Sequence, residues 1–281
     1  MFTHVRCAVV PVAGLGTRLS PLTRGIPKEL LPLGRAPVLQ HVIDELRQAD
    51  VDTPLLVTNE RKSAIKQYFD ASDENHVGVQ FVNQAQQSGL GHAVLCAREA
   101  VADRPFYIAL GDAVIKTRAS VETLCQRMRR LCMLENADAA IAFHEVSLDR
   151  VSRYGVAQPM PGFSDKDEFF RLDGLVEKPA QASAPSRYAI AARYLCTPDL
   201  FGYLEKTAPG KGGEIQLTDA LQAWLNDGAT ILGVPLTSDE KRYDIGNFES
   251  YYTAVLEYAL RDNEFGAALG ASLARQYGIA Q

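Results

Sequence analysis

Short apolar runs alternate along this chain with longer stretches in which apolar residues recur every three or four positions. The runs "CAVVPV" (7–12), "PLLVTN" (54–59), "VQFVN" (79–83) and "FYIALG" (106–111) read as strands buried on both faces. Between them, "VLQHVIDELRQA" (38–49), "KSAIKQYFD" (62–70), "GHAVLCAREAV" (91–101) and "SVETLCQRMRRLCMLENA" (120–137) carry the helical period. This alternation predicts an α/β fold with parallel strands, right-handed crossovers and helices on both faces.

Past the strand-like "AAIAFHEV" (139–146) the texture changes. "YGVAQPMPGFSDKDEFFRLDGLVEKP" is rich in Gly, Pro and charge, and predicts a hairpin-bearing insertion instead of another βαβ unit. "YAIAARYLCTPDLFGYL" then reads as strand and helix, and "GGEIQLTDALQAWLND" as a further helix. "TILGVPL" (230–236) is a late strand and "NFESYYTAVLEYALRDN" (247–263) a closing helix. No repeat or linker interrupts the series, so one domain over residues 1–281 is expected. The last stretch, "GAALGASLARQYGIAQ", suits a packing helix or a subunit contact.

Composition narrows the class. With 281 residues, 47% apolar and 22% charged, the chain has the make-up of an ordinary globular enzyme. A net charge of −5 without a long basic run argues against general nucleic-acid binding, yet leaves room for a local basic pocket. The five cysteines (Cys7, Cys96, Cys125, Cys132, Cys196) form no CxxC pair and no zinc-like cluster, which suits free thiols in a reducing compartment. The first residues lack a signal-peptide layout, and no stretch approaches the roughly 18 consecutive apolar residues of a membrane span. A cytoplasmic protein with neither membrane nor nucleic-acid partner is the expectation.

Candidate chemistry begins where the first strand ends, at "AGLGTR". A strand followed by glycines turns backbone N–H groups toward an anion. The dinucleotide fingerprint GxGxxG fails because Leu19 stands where its third glycine belongs, and the P-loop pattern fails at the same residue. Two glycines, Gly14 and Gly16, also fit a plain tight turn. Arg18 and Lys28 add cations that can bind a triphosphate and stabilise a departing pyrophosphate.

The full stretch "PVAGLGTRLSPLTRGIPKELLPL" resembles the signature of the sugar-1-phosphate nucleotidylyltransferases, close to GxGTR…PKxLLP. "QAQQSGLGHAVLCA" (84–97), "FYIALGDAVI", "RYGVAQ", "DGLVEKPA", "GEIQLTDAL" (213–221) and "RYDIGNFESY" extend that resemblance in family order, from Val9 to Asn263. It implies a Rossmann-like, mixed but mainly parallel sheet with a small sugar-binding insertion. The nucleotide-binding part would span about 5–145, and the sugar-binding part with a second metal ligand about 146–265.

The resemblance also implies roles. Ala13, Gly14, Leu15, Gly16 and Thr17 would hold the phosphates of UTP, with Arg18 and Lys28 on the leaving pyrophosphate. Gln84 and the backbone of Gly89 would contact uracil, while His92 reads as a helix residue. Asp112 and Asp244 would bind Mg²⁺. Glu177 would take sugar hydroxyls, Lys178 the sugar phosphate, and Gly155 would let the backbone approach the sugar, with Glu214 and Gln216 in support. The implied reaction joins UTP and glucose 1-phosphate, and the implied assembly is a homo-oligomer. Two departures stand out: Ala113 replaces a second acidic residue, and a helical segment of about twenty residues is missing between "QYFDASDENH" and "VQFVNQ".

Other readings share parts of this pattern. A sister enzyme using dTTP or another sugar 1-phosphate would carry the same loop and aspartates. A non-catalytic nucleotide-sugar sensor would be expected to have lost one of Arg18, Lys28, Asp112, Lys178 or Asp244, and all are present. A dinucleotide-dependent oxidoreductase explains the opening strand and glycines but not the failed fingerprint.

Overall fold

The computed structural model describes residues 2–70, 78–117 and 122–278. Its strands are β1 Cys7–Pro11, β2 Pro32–Leu33, β3 Ala36–Pro37, β4 Thr53–Thr58, β5 Gln80–Asn83, β6 Phe106–Ala109 and β7 Ala113–Thr117. They continue with β8 Ala139–Glu145, β9 Gly155–Pro159, β10 Phe170–Glu177, β11 Tyr188–Cys196, β12 Ile231–Pro235 and β13 Glu240–Asp244. The helices are α1 Val38–Gln48, α2 Ser63–Asp70, α3 Leu90–Cys96, α4 Arg98–Val101, α5 Leu124–Glu135, α6 Leu200–Lys206, α7 Leu217–Asn226, α8 Phe248–Leu260 and α9 Gly266–Tyr277.

The main sheet runs in the order β5-β4-β1-β6-β11-β8-β12-β10-β9. The four strands from β5 to β6 are parallel, as the apolar runs predict. Beyond β6 the sheet changes character. Strand β11 is antiparallel to both β6 and β8, β12 is parallel to β8, and β10 is antiparallel to β12 and β9. Parallel pairing is therefore confined to the first half and one later pair. The antiparallel β9–β10 pair is the expected hairpin-bearing insertion.

Period-two alternation divides the strand residues between two cores. From β1, Ala8 and Val10 point into the layer with α1 and α5, while Cys7 and Val9 face α3, α6 and α7. Strand β6 repeats this with Tyr107 and Ala109 against Phe106 and Ile108. Helix α1 buries Val38, Leu39, Val42, Ile43 and Leu46, the stripe that its sequence spacing predicts. Helix α5 opens with a capping box between Thr123 and Gln126 and ends on Asn136 in the left-handed region. The expected 91–101 helix is broken at Ala97, giving α3 and α4.

Outside the main sheet, β13 and β7 form an antiparallel pair with Asp244 opposite Ala113. This pair joins the two aspartate segments. The segment expected to be shortened relative to the family falls on residues 71–77, outside the described residues. Among the described residues, no helix is long and apolar enough to cross a membrane.

Candidate active site

The carboxyl ends of β1, β5 and β6 meet at one cavity of about 440 Å³, the edge where open parallel sheets gather ligands. Ala13, Gly14, Leu15, Gly16, Thr17, Lys28, Gln84, Gly89, Asp112 and Glu214 all line it. Ten of the residues predicted from distant stretches of sequence thus share one wall system. Arg18 is exposed beside Thr17 and is not part of the lining.

Local chemistry shapes the loop. Gly16 has φ 66°, the left-handed region that glycine enters without penalty. Its carbonyl accepts a hydrogen bond from Thr23 Oγ1 at 2.9 Å. The Ala13 carbonyl accepts from Asn59 Nδ2 at 2.9 Å and Gln87 Nε2 at 2.7 Å, tying the loop to the ends of β4 and β5. Gly89 has φ 97°, and a Cβ there would lie 2.8 Å from both Glu214 Cβ and the Ile215 carbonyl oxygen. The backbone explains this closeness. Ile215 N–H donates to the Ser88 carbonyl and Gly91 N–H to the Ile215 carbonyl, each at 2.8 Å.

Glu214 therefore lines the cavity, packed against the Gly89 turn. Thr218 Oγ1, from the helix that follows, donates to Glu177 Oε2 at 2.8 Å. Gln216 reaches Glu214 Oε2 through Nε2 at 3.2 Å.

At the floor, Lys28 Nζ forms an ion pair with Asp112 Oδ2. Burial opposes the lysine charge, but Asp112 and Glu29 outweigh it and hold the ammonium above its usual pKa. Burial would likewise raise Asp112, yet Lys28, assisted by Arg242, keeps its carboxyl below the usual range. Beneath Lys28 lies a second pair, Lys62 Nζ to Glu29 Oε2 at 2.7 Å, with side-chain exposures of 7% and 1%. Burial pushes Glu29 up and Lys62 down, each partly offset by its partner.

The second carboxylate arrives through the small sheet: Ile245 N–H donates to the Asp112 carbonyl at 2.8 Å. Asp244, from this second segment, adds to the field that favours the charged form of Lys28. No group of three or more His, Cys, Asp or Glu side chains arranged for a metal occurs among the described residues. Two carboxylates fit a hard cation that takes its other ligands from phosphate and water, as Mg²⁺ does.

A second cluster forms on the β9–β10 pair. Gly155 and Glu177 are register partners across β9 and β10, and Lys178 Nζ lies 2.9 Å from Glu177 Oε1. A Cβ on Gly155 would lie 2.6 Å from Ile190 Cδ1 and 3.2 Å from Glu177 Oε2, so this position has no room for a side chain. Lys178 has φ 47°, and its N–H donates to the Tyr154 carbonyl at 2.9 Å.

Two arginines were not legible as site residues. Arg242 Nη2 lies 3.3 Å from Asp244 Oδ2, and its guanidinium sits 5.4 Å from the Tyr154 ring centroid. It thereby links the second aspartate segment to the turn that carries Lys178. Arg193 is fully buried. It donates to Glu45 Oε1 at 2.9 Å and Oε2 at 2.7 Å, and to the Ala113 carbonyl at 2.9 Å. Its neighbour Ala192 has φ 68° at a register break in β11 and accepts from Leu110 N–H at 3.1 Å. Both ends of the turn that presents Asp112 are thus fastened to one bulge.

His144, near Arg242, has its Nε2 buried with no hydrogen-bond partner among the described residues. Burial, reinforced by Arg242, lowers its pKa to about 3. The unfolded chain binds the extra proton below its ordinary value of 6.5, so stability falls as pH drops from there toward 3. Unfolding free energy should decline by about 3 kcal/mol more in the wild type than in His144→Phe between pH 7 and pH 4. Denaturant titrations of both proteins across that range check this.

The fold and cavity are those of a nucleotidyl transferase. The nucleotidyl transferase family model matches residues 7–260, and the chain belongs to that family. It is 35% identical to UTP–glucose-1-phosphate uridylyltransferase of Bacillus subtilis over 281 residues, covering 92% of this chain and 93% of the relative. It is 34% identical to a second such uridylyltransferase, from Staphylococcus saprophyticus, with 92% and 93% covered. A UTP-bound UGPase from Acinetobacter baumannii superposes with a TM-score of 0.86 at 31% identity, over 96% of this chain and 99% of that one. A UDP-glucose pyrophosphorylase complexed with UDP-glucose gives 0.83 at 32% identity, over 91% and 98%.

Proposed function

We propose that this protein transfers the uridylyl group of UTP to α-D-glucose 1-phosphate, giving UDP-glucose and pyrophosphate. The observation that carries the reading is the junction of two chemically distinct clusters. The glycine loop, Lys28, Gln84 and Asp112 share one cavity, and Gly155, Glu177 and Lys178 stand together beside the segment that carries Asp244. Relatives that use or hold UTP and UDP-glucose support the choice of substrates.

In this reading the loop residues Ala13–Thr17 hold the triphosphate, with Gln84 and Gly89 at the base. Glu177 accepts from sugar hydroxyls while the Lys178 ammonium positions the sugar phosphate. A phosphate oxygen of the sugar attacks the α-phosphorus in line, and the P–O bond to pyrophosphate breaks. Lys28 exchanges its contact with Asp112 for the leaving phosphates, and Arg18 approaches them from the exposed side of the loop. Asp112 and Asp244 would hold Mg²⁺, which when bound neutralises phosphate charge. The positions of the other groups supply orientation, and no covalent enzyme intermediate is required.

Pyrophosphate release tests this directly. Purified protein with Mg²⁺ is assayed with UTP, dTTP, CTP, ATP and GTP against glucose-, galactose- and N-acetylglucosamine 1-phosphate. Turnover should be largest for UTP with glucose 1-phosphate. A preference for dTTP or another sugar would move the substrate assignment, and binding without turnover would replace the enzyme by a sensor.

A further inference from the structure

Gln84 is 3% exposed and lines the cavity. Its Nε2 lies 3.2 Å from the Gly89 carbonyl oxygen and 3.0 Å from His92 Nδ1. A carbonyl oxygen can only accept, so the Gln84 atom facing it is the amide nitrogen. The second hydrogen of that nitrogen meets His92 Nδ1, which must then present its lone pair and leave the ring proton on Nε2. Cys96 Sγ lies 3.8 Å from Nδ1 and 3.9 Å from Nε2, about equally far from both ring nitrogens, so it does not displace the Gln84 amide from the Nδ1 lone pair. Burial holds its thiol above the usual pKa, so the sulfur keeps its proton.

Both hydrogens of the Gln84 amide are therefore committed. Its Oε1 accepts no hydrogen bond among the described residues and is the atom that remains for a ligand. A side-chain amide in general offers a donor and an acceptor to a base, but this one offers the acceptor alone. We propose that His92 is a positioning residue: it holds the Gln84 amide with Oε1 toward the base, so that the pocket takes a pyrimidine carrying N–H at ring position 3. Uracil has that N–H. Cytosine presents a lone pair there, which would face the lone pairs of Oε1. The inference rests on the proposed use of UTP and deepens it, since it assigns base selection to a residue that the helix period alone makes look structural.

Side chains at position 92 separate positioning from packing. His92→Ala and His92→Leu remove the acceptor, whereas His92→Asn can return one, because Asn Oδ1 reaches close to the place of Nδ1. Initial rates with UTP and with CTP, at fixed glucose 1-phosphate, give kcat and KM for each variant. Alanine and leucine should raise KM for UTP about tenfold, change kcat less than about threefold, and lower the UTP-to-CTP ratio of kcat/KM about tenfold. Asparagine should restore KM and the ratio to within about threefold of wild type. If His92→Leu does not fold, the alanine–asparagine comparison carries the test. Equal losses with both nucleotides in all variants, or no loss in any, would overturn the assignment to His92. A wild type that prefers another nucleotide over UTP would instead sink the substrate reading, whatever position 92 does.

Discussion

Lys28→Ala should lower kcat by about 10²–10³-fold while leaving the fold intact, since removal of one preorganised charge from a phosphoryl-transfer site has that order of effect. The side chain is placed for this by two neighbours. A Cβ on Gly14 would stand 3.8 Å from Lys28 Nζ, an ordinary contact distance, so the loop backbone passes directly beside the ammonium. Asp112 holds the same nitrogen before any substrate arrives. Lys28 is thus preorganised and charged, as the raised pKa also requires. Its loss should appear in single-turnover rates more than in UTP binding, because the interaction strengthens as charge builds on the leaving oxygen. Lys28→Arg should recover little, since a planar fork does not replace a compact ammonium in a cavity fitted to it. Near-normal turnover in Lys28→Ala would remove this residue from the proposed mechanism.

Much of this site could be read before any coordinates, and the reasons are local. Gly16 and Gly89 have positive φ, and the strands that precede the loop and Asp112 are continuous apolar runs. Such features live within a few residues of sequence. What escaped notice is non-local. Strand β13, "EKRYD", is mostly polar and looks like a loop, because it pairs only with β7 and lies outside the main sheet. The buried pair of Glu29 and Lys62 has no local signal, since nothing near either residue announces a partner across 33 positions. The bridge between Ser88 and Ile215, which places Glu214 against Gly89, also joins segments far apart in sequence. Arg193 sits inside the apolar run "YAIAARYLC", where the strand period is plain but the purpose of one cation is not. Only the bulge at Ala192 turns it toward Glu45 and Ala113.

That buried pair yields the largest expected change in stability. Glu45→Ala should cost about 3–5 kcal/mol, because a guanidinium with no exposed surface would lose both carboxylate contacts and keep its desolvation penalty. A shift of the urea midpoint at unchanged slope measures it. Stability and positioning can then be pulled apart. The double substitution Glu45→Leu with Arg193→Met replaces the pair by apolar groups, and such replacements are often close to neutral, so the midpoint should return to within about 2 kcal/mol of wild type. Turnover should not return with it. Arg193 also donates to the Ala113 carbonyl, next to Asp112, and the apolar double variant has nothing to put in that place. The turn from Leu110 to Ala113 would keep its bonds to the Ala192 carbonyl and to Ile245 N–H but lose the one beside Asp112, letting the carboxylate shift relative to Lys28. Because a displacement of about 1 Å can cost about 10²-fold in such a site, kcat of the restored-stability variant should stay at least tenfold down. Full recovery of turnover alongside stability would mean that the pair serves the fold alone.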